Sequence, residues 1–197
     1  MRKTIVDKDS LDYFLECDKI ALGITRKHPR FLGDYIWKYE RLLRINEYYV
    51  NCKPTALIKY FYMFKMKRLA MKLGFQIPLN VVAPGLALVH PGTIIINSKS
   101  EIGENCRIQT GVTIGTTNGS NKAPIIGNNV FLGDGCKVIG NVQVADGVCV
   151  GANAVVVKTI SEPNTTWGGV PAHKLSDNSS ESNITKATDI VNASLGF

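Results

Sequence analysis

Aliphatic residues recur every six positions through the second half of the chain. The series has nine members: Ile102, Ile108, Ile114, Ile126, Leu132, Val138, Val144, Val150 and Val156. A glycine often follows, as at Gly103 and Gly127, and a small or β-branched residue often stands four positions after the aliphatic one. A period of six matches neither the helical turn of about 3.6 residues nor the alternation of a strand. It predicts a mainly β domain, coiled from short parallel strands around one buried aliphatic column.

The series is interrupted once, because Ser120 stands where the next aliphatic residue after Ile114 is due. Residues 116–125 are rich in Thr, Asn, Gly and Ser, which predicts a loop extruded from one corner of the coil. Loops on a rigid scaffold often carry function.

The flanking segments have other patterns. Residues 1–74 carry apolar residues at helical spacing, and breakers such as Pro29, Gly33 and Pro54 divide them into three or four helices. Residues 75–175 hold the coil. Residues 176–197 turn to Ser, Asn and Thr, which predicts a mobile polar tail with a weak helix from Thr188 to Leu195.

The net charge of +7 is concentrated in the helical region. Residues 1–74 hold 16 lysines and arginines against 8 aspartates and glutamates. Such a region favours an anionic partner or the membrane surface, and a solvated helical face is the plain alternative. No nucleic-acid-binding motif accompanies the charge, so no nucleic acid partner is expected. We expect a cytoplasmic protein, because the N-terminus has no secretory pattern. The basic N-terminal helices make the inner membrane surface a second possible location.

The candidate chemistry is sparse. Five cysteines without a CxxC pair predict reduced, mostly buried thiols. Of the three histidines only one is a candidate for a cleft, so no metal site is expected. That histidine is His90, which lies twelve residues before Ile102 and therefore falls on an interior position of the six-residue count. From the residues alone, a structural histidine and a catalytic one are equal alternatives.

A resemblance to known enzymes favours the catalytic alternative for this histidine. The run from Val89 to Gly115, VHPGTIIINSKSEIGENCRIQTGVTIG, is similar to the catalytic segment of serine O-acetyltransferases and of colanic-acid-type capsule acetyltransferases. Those families place a histidine twelve residues before an Ile-Gly, as here. The runs IIGNNVFLGDG, VGANAVV and GGVPAHKL resemble hexapeptide-repeat acyltransferases generally. The resemblance covers about residues 74–175 and implies a left-handed parallel β-helix, a homotrimer and acetyl-CoA as donor.

The same resemblance assigns roles. His90 would be the general base, and backbone N–H groups near Gly111 and Gly115 would stabilise the oxyanion. Coenzyme A would lie in a groove between subunits. The residues matching that groove are Gly133, Asp134, Gly151 and Ala152, with Lys158 and Lys174 expected to meet the phosphates.

The departures from the serine enzymes set the expected acceptor. Phe75, Val89 and Ala123 stand where those enzymes carry a carboxylate, an aspartate and a histidine. We therefore expect an apolar acceptor wall from these three residues, with Asn97 as a polar contact, and a sugar hydroxyl of a surface polysaccharide as acceptor. Serine O-acetylation for cysteine synthesis is the alternative enzyme function, and an inactive trimeric scaffold is the alternative outside catalysis. The residue that orients His90 stays open among Asn80, Asn97 and a backbone carbonyl.

Overall fold

The computed structural model describes residues 4–118 and 120–195. Three helices come first: α1 (Lys8–Ala21), α2 (Tyr35–Cys52) and α3 (Ile58–Leu73). The Asp7 carboxylate caps α1 by accepting from the backbone N–H of Ser10, and the Ser10 hydroxyl oxygen accepts from the Asp7 N–H in return. Gly74, in the left-handed conformation, ends α3 and turns the chain into the coil.

Short strands then wind around three flat faces. Face A contains β1 (Phe75–Gln76), β3 (Ile94–Ile96), β6 (Thr113–Gly115), β9 (Lys137–Ile139) and β12 (Val155–Val156). Face B contains β4 (Glu101–Ile102), β7 (Ile125–Ile126) and β10 (Gln143–Val144). Face C contains β2 (Ala87–Leu88), β5 (Arg107–Ile108), β8 (Phe131–Leu132), β11 (Cys149–Val150), β13 (Thr166–Gly168) and β14 (His173–Ser176).

The pairing of these strands is that of a three-faced parallel β-helix, which confirms the predicted fold class. Leu132 lies beside Val150 on face C, and Val138 lies beside Val156 on face A, so one coil takes three six-residue units. Only β13 and β14 pair antiparallel among the described strands, where the coil ends.

The core is the column that the periodicity predicts. All nine members of the aliphatic series are buried, and the second set, which includes Cys106 and Cys136, fills the space between them. Burial raises the pKa of the Cys136 thiol to about 12, so this thiol stays protonated and packs as a small apolar group.

A buried ionic cluster joins the helices to the first coil. The Arg44 guanidinium contacts Asp18 of α1 at 2.7 Å and Glu47 of α2 at 3.0 Å. It also donates to the carbonyls of Val82 and Ala83 at 2.8 and 2.9 Å. Because its donors are matched by acceptors from three segments, removal of any partner would leave an uncompensated buried charge. The cluster fixes the helices on the coil.

Residues after β14 differ from the expected mobile tail. They run back along the corner between faces B and C and end in α4 (Ala187–Leu195), after a short 3-10 turn (Ser180–Asn183). The Ser180 N–H donates to the Gly147 carbonyl at 2.9 Å, and Val191 packs against Cys17 and Ala21 of α1. We call residues 179–195 the strap. The polar residues of the strap form hydrogen bonds with backbone and side-chain groups at this corner. A composition that is typical of disorder therefore serves here to hold the strap on the coil.

None of the helices within the described ranges has the length and hydrophobicity needed to cross a bilayer.

Candidate active site

His90 lies at the corner where the chain passes from face C to face A, and it is exposed. The expectation of an interior position was wrong. Leu88 is the interior residue, paired with Ile108, and Ile96 is the next one, paired with Ile114. Leu88 and Ile96 are eight positions apart rather than six, so this unit has two extra residues. They push His90 out of the column and into solvent.

The backbone on both sides of His90 is anchored. Before it, the Leu88 N–H donates to Oε1 of Glu40, a buried carboxyl on α2, at 2.9 Å. After it, the Gly92 N–H donates to the Leu73 carbonyl at 2.8 Å. Gly92 has φ +145°, and a Cβ there would lie 1.9 Å from Oγ1 of Thr110, so only glycine fits. Sequence reasoning missed Glu40 and Thr110, because neither belongs to a motif or to the six-residue period.

The His90 imidazole has no hydrogen-bond partner among residues 4–118 and 120–195. Asn80 is unsuitable as its orienting residue, because its side-chain amide is paired with that of Asn51 at 2.9 and 3.0 Å. Asn97 is at the opposite end of β3, where its Oδ1 accepts from the Lys99 N–H at 2.9 Å. Within the described part of the chain, the ring is therefore held through its backbone alone.

The corner that carries His90 recurs in every coil and forms a straight edge. We define the histidine edge as residues 89–92, 110–111, 134–135 and 152–153. The Gly135 N–H donates to the Thr110 carbonyl at 2.8 Å, and the Asn153 N–H donates to the Asp134 carbonyl at 2.7 Å, so successive corners stack directly. With about 4.8 Å between coils, the edge runs roughly 14 Å from His90 to Ala152.

Most of the residues expected to contact coenzyme A lie on this edge or next to it. Gly111, Asp134 and Ala152 belong to it, and Gly133 and Gly151 each precede it by one residue. Lys137 of β9 was missed by sequence reasoning. Its Nζ donates to the Gly111 carbonyl and so places a cation at the edge.

Three further candidates lie elsewhere. Gly115 ends β6 and Lys158 follows β12, so both stand at the opposite corner of face A from His90. Lys174 contacts Glu162 at 2.5 Å and Asp177 at 2.7 Å. Hydrogen bonds to these carboxylates raise the pKa of Lys174, and they already neutralise the charge that was expected to meet a phosphate.

The expected apolar acceptor wall is absent from the described part of the chain. Phe75 is only 6% exposed, and its ring packs edge-on against Tyr39 with centroids 5.1 Å apart. Ala123 is 7% exposed and lies beyond β6, at the corner between faces A and B. Of the four acceptor candidates, Val89 alone adjoins His90, because Asn97 too is at the far end of face A. The argument that these side chains exclude an amino-acid acceptor therefore loses its physical basis.

Comparison with known proteins finds hexapeptide-repeat transferases and serine acetyltransferases. The family model described as "Bacterial transferase hexapeptide (six repeats)" matches residues 123–158. The serine acetyltransferase of Staphylococcus epidermidis RP62A is 37% identical over 173 residues, which cover 84% of this chain and 76% of that enzyme. The serine acetyltransferase of Buchnera aphidicola (Schizaphis graminum) is 35% identical over 133 residues, covering 66% of this chain and 49% of that enzyme.

Among solved structures, the serine acetyltransferase of Brucella abortus S19 in complex with coenzyme A superposes with a TM-score of 0.65. It is 23% identical and covers 86% of this chain and 68% of that one. The likeness establishes a shared fold, which includes the helical region as well as the β-helix.

These relatives overturn the expectation of a polysaccharide acceptor, because they are named serine acetyltransferases and none is named for a glycan. They confirm the expected superfamily. The chain belongs to the serine acetyltransferase family of hexapeptide-repeat acyltransferases.

Proposed function

We propose that the protein is an acetyl-CoA-dependent serine O-acetyltransferase with His90 as general base. The observation that carries the proposal is the position of His90. It is exposed at one end of the histidine edge, on a segment anchored on both sides, in a chain 37% identical to a serine acetyltransferase over most of its length.

The chemistry follows from an exposed imidazole that can act as a base. Its unprotonated nitrogen takes the proton from the serine hydroxyl while that oxygen attacks the thioester carbonyl. Backbone N–H groups near Gly111 stabilise the negative oxygen of the tetrahedral intermediate. The intermediate then collapses by breaking its C–S bond, and the departing thiolate takes the proton from the imidazolium. The products are O-acetylserine and free coenzyme A, and the imidazole returns to its neutral form.

The histidine edge supplies the shape for the donor. Its corners are small residues and backbone, so a narrow, extended pantetheine arm can lie along its roughly 14 Å with the thioester beside His90. Lys137 adds a positive charge on the same edge.

The assembly we propose is a homotrimer in which His90 faces the adjacent subunit. Two observations support it. The imidazole has no partner within the described part of its own chain, and the outer surfaces of faces A and B carry exposed isoleucines at Ile95 and Ile125. Burying such flat apolar strips between subunits is favourable. Sedimentation equilibrium at micromolar concentration would give three times the chain mass, and a monomer would contradict this assembly.

The experiment that tests the function is thiol release from saturating acetyl-CoA with L-serine as acceptor, and with L-threonine and N-acetylglucosamine as comparison acceptors. We expect kcat/KM for L-serine above about 10⁴ M⁻¹s⁻¹, within the ordinary enzyme range, and far lower values for the other two. His90→Ala should reduce kcat by about 10²–10⁴-fold and leave coenzyme A binding intact. His28→Ala, on a helix connection, is the matched control. Wild-type protein that releases thiol with no preference for L-serine would overturn the proposed acceptor, and a fully active His90→Ala enzyme would overturn the proposed base.

A further inference from the structure

A groove of about 590 Å³ lies between α2 and α3, away from the histidine edge. Its apolar lining comes from Leu42, Ile45 and Leu69. Five cationic side chains surround this lining: Lys38, Arg41, Lys65, Arg68 and Lys72. No carboxylate is among the described lining residues, so the groove combines an apolar floor with an uncompensated positive rim.

Exposed apolar side chains stand beside the rim. Phe31 is 95% exposed and Leu32 75%, at the tip of the connection between α1 and α2. This tip is tied to the groove, because Nζ of Lys38 donates to the Phe31 carbonyl at 2.8 Å. Phe64, which lines the groove, is 59% exposed. A tip that presents two large apolar residues to water is unfavourable unless something covers it.

The charge of this surface is one-sided. Helix α3 carries five lysines and arginines and no carboxylate. The two carboxylates of α2, Glu40 and Glu47, are buried, so they do not offset the rim where a ligand would meet it. We call the tip, the groove and the exposed side of α3 the basic apolar face.

We propose that the basic apolar face docks the assembled protein on the surface of an anionic lipid bilayer. Lysines and arginines would contact the headgroups, while Phe31, Leu32 and Phe64 enter the interface between headgroups and acyl chains. Each element has a physical role, since cations near an anionic leaflet and aromatic or aliphatic side chains at the interface both favour surface binding. This docking is separate from acetyl transfer, and it needs no spanning helix.

Charge decides against a second copy of the chain packed face to face as the occupant. A symmetric contact through this face would bring each rim of five cations against an identical rim. Like charges facing each other across a desolvated contact are repulsive. A polyanion such as a nucleic acid would pair with the rim and leave the Phe31–Leu32 tip in water.

The test is co-sedimentation of the full chain with sucrose-loaded vesicles of pure phosphatidylcholine, or of phosphatidylcholine with 30% phosphatidylglycerol (about a third anionic lipid, in the range where surface potential is large). We expect binding to the anionic vesicles, at least about tenfold weaker binding to the neutral ones, and loss of binding as salt rises through the screening range. Lys65→Glu/Lys72→Glu should weaken anionic binding at least about tenfold. Phe31→Ser/Leu32→Ser should weaken it without changing its salt dependence.

The matched control for charge is Lys8→Glu/Lys186→Glu, which makes the same charge change outside the face and should bind nearly as wild type. Acetyl transfer to L-serine should be unchanged in all three variants, which separates this proposal from the proposed function. Equal binding to both vesicle types, no binding to either, or equal loss in the control would overturn the proposal. So would sedimentation showing that Phe31→Ser/Leu32→Ser lowers the subunit number, because the face would then be an interface between copies.

Discussion

The buried carboxyl of Glu40 accepts a hydrogen bond from the backbone N–H of Leu88 at 2.9 Å, two residues before His90. The contact joins residues 48 positions apart, and it connects α2 to the coil unit that carries two extra residues. Its second oxygen, Oε2, is buried without a partner in the described structure. Glu40 thus anchors the backbone segment that carries the His90 imidazole.

Removal of the Glu40 carboxyl should lower kcat more than it weakens acetyl-CoA binding. Glu40→Ala leaves the buried Leu88 N–H unpaired, which costs about 1–3 kcal/mol, and frees the segment that holds His90. We expect kcat to fall about tenfold or more with little change in KM for acetyl-CoA. Glu40→Gln keeps an acceptor and should recover most of the loss. Glu47→Ala is the control, because Glu47 Oε1 accepts from Asn80 instead. It should lower stability while kcat, measured well below its melting temperature, stays near wild type. Equal kcat losses in both variants would refute a positioning role for Glu40.

The pH dependence of stability should report the same carboxyl. Burial, and next the negative charge of Asp18, raise the pKa of Glu40 well above its ordinary value of 4.5. The folded protein therefore retains a proton that the unfolded chain releases, and the free energy of unfolding falls as pH rises above about 4.5 toward the folded-state pKa. Glu40→Gln cannot titrate and should show a flatter profile. Urea unfolding of both proteins at several pH values between 4.5 and 9 measures this, and parallel profiles would contradict it.

The turn after His90 should tolerate no side chain. Gly92→Ala places a methyl group against Oγ1 of Thr110 and forces alanine to φ +145°, where the backbone strain alone costs about 1–3 kcal/mol. We expect lower stability and lower kcat. Gly92→Ala/Thr110→Ala removes the contact with Oγ1 but not the strain, so it should recover part of the stability. If the loss of unfolding free energy in the double variant equalled the sum of the losses in the two single variants, the close approach to Thr110 would be the wrong explanation.

The strap should contribute stability without contributing to catalysis. Oγ1 of Thr188 accepts from Nδ2 of Asn105 at 2.8 Å, and Oδ1 of Asn105 accepts from the Thr188 N–H at 3.0 Å. Thr188→Val leaves the buried amide short of a partner, and a loss of about 1–3 kcal/mol in unfolding free energy is expected. Ile190→Ala, on the exposed side of the same helix, should be nearly silent. A Thr188→Val protein as stable as the Ile190→Ala control would mean that the strap is not held by this pair.

The sequence predicts the coil well because its period arises from burial, which repeats. It misplaces His90 because counting assumes that every coil is regular. Val82 pairs with Ile102 and Leu88 with Ile108, both twenty positions apart rather than the eighteen of a regular coil, and no residue type marks that expansion. The roles of Glu40 and of the strap are equally invisible, since each depends on one long-range contact without a periodic counterpart. The acceptor wall fails for a related reason. Alignment to a functional position says nothing about burial, and Phe75 proves to be a core residue.

The strap has a consequence for how the molecule loses its structure. In a stack of repeats each coil touches only its neighbours, so the outermost coils ordinarily open first and independently. Here residues 179–195 bond to the coil corners at Gly147, Asn129 and Asn105 in turn and then pack against α1. The two ends of the array are thereby coupled to one another. Amide exchange in the first and last coils should then follow a single opening event rather than gradual fraying, and the linear array behaves as a closed, cooperative unit.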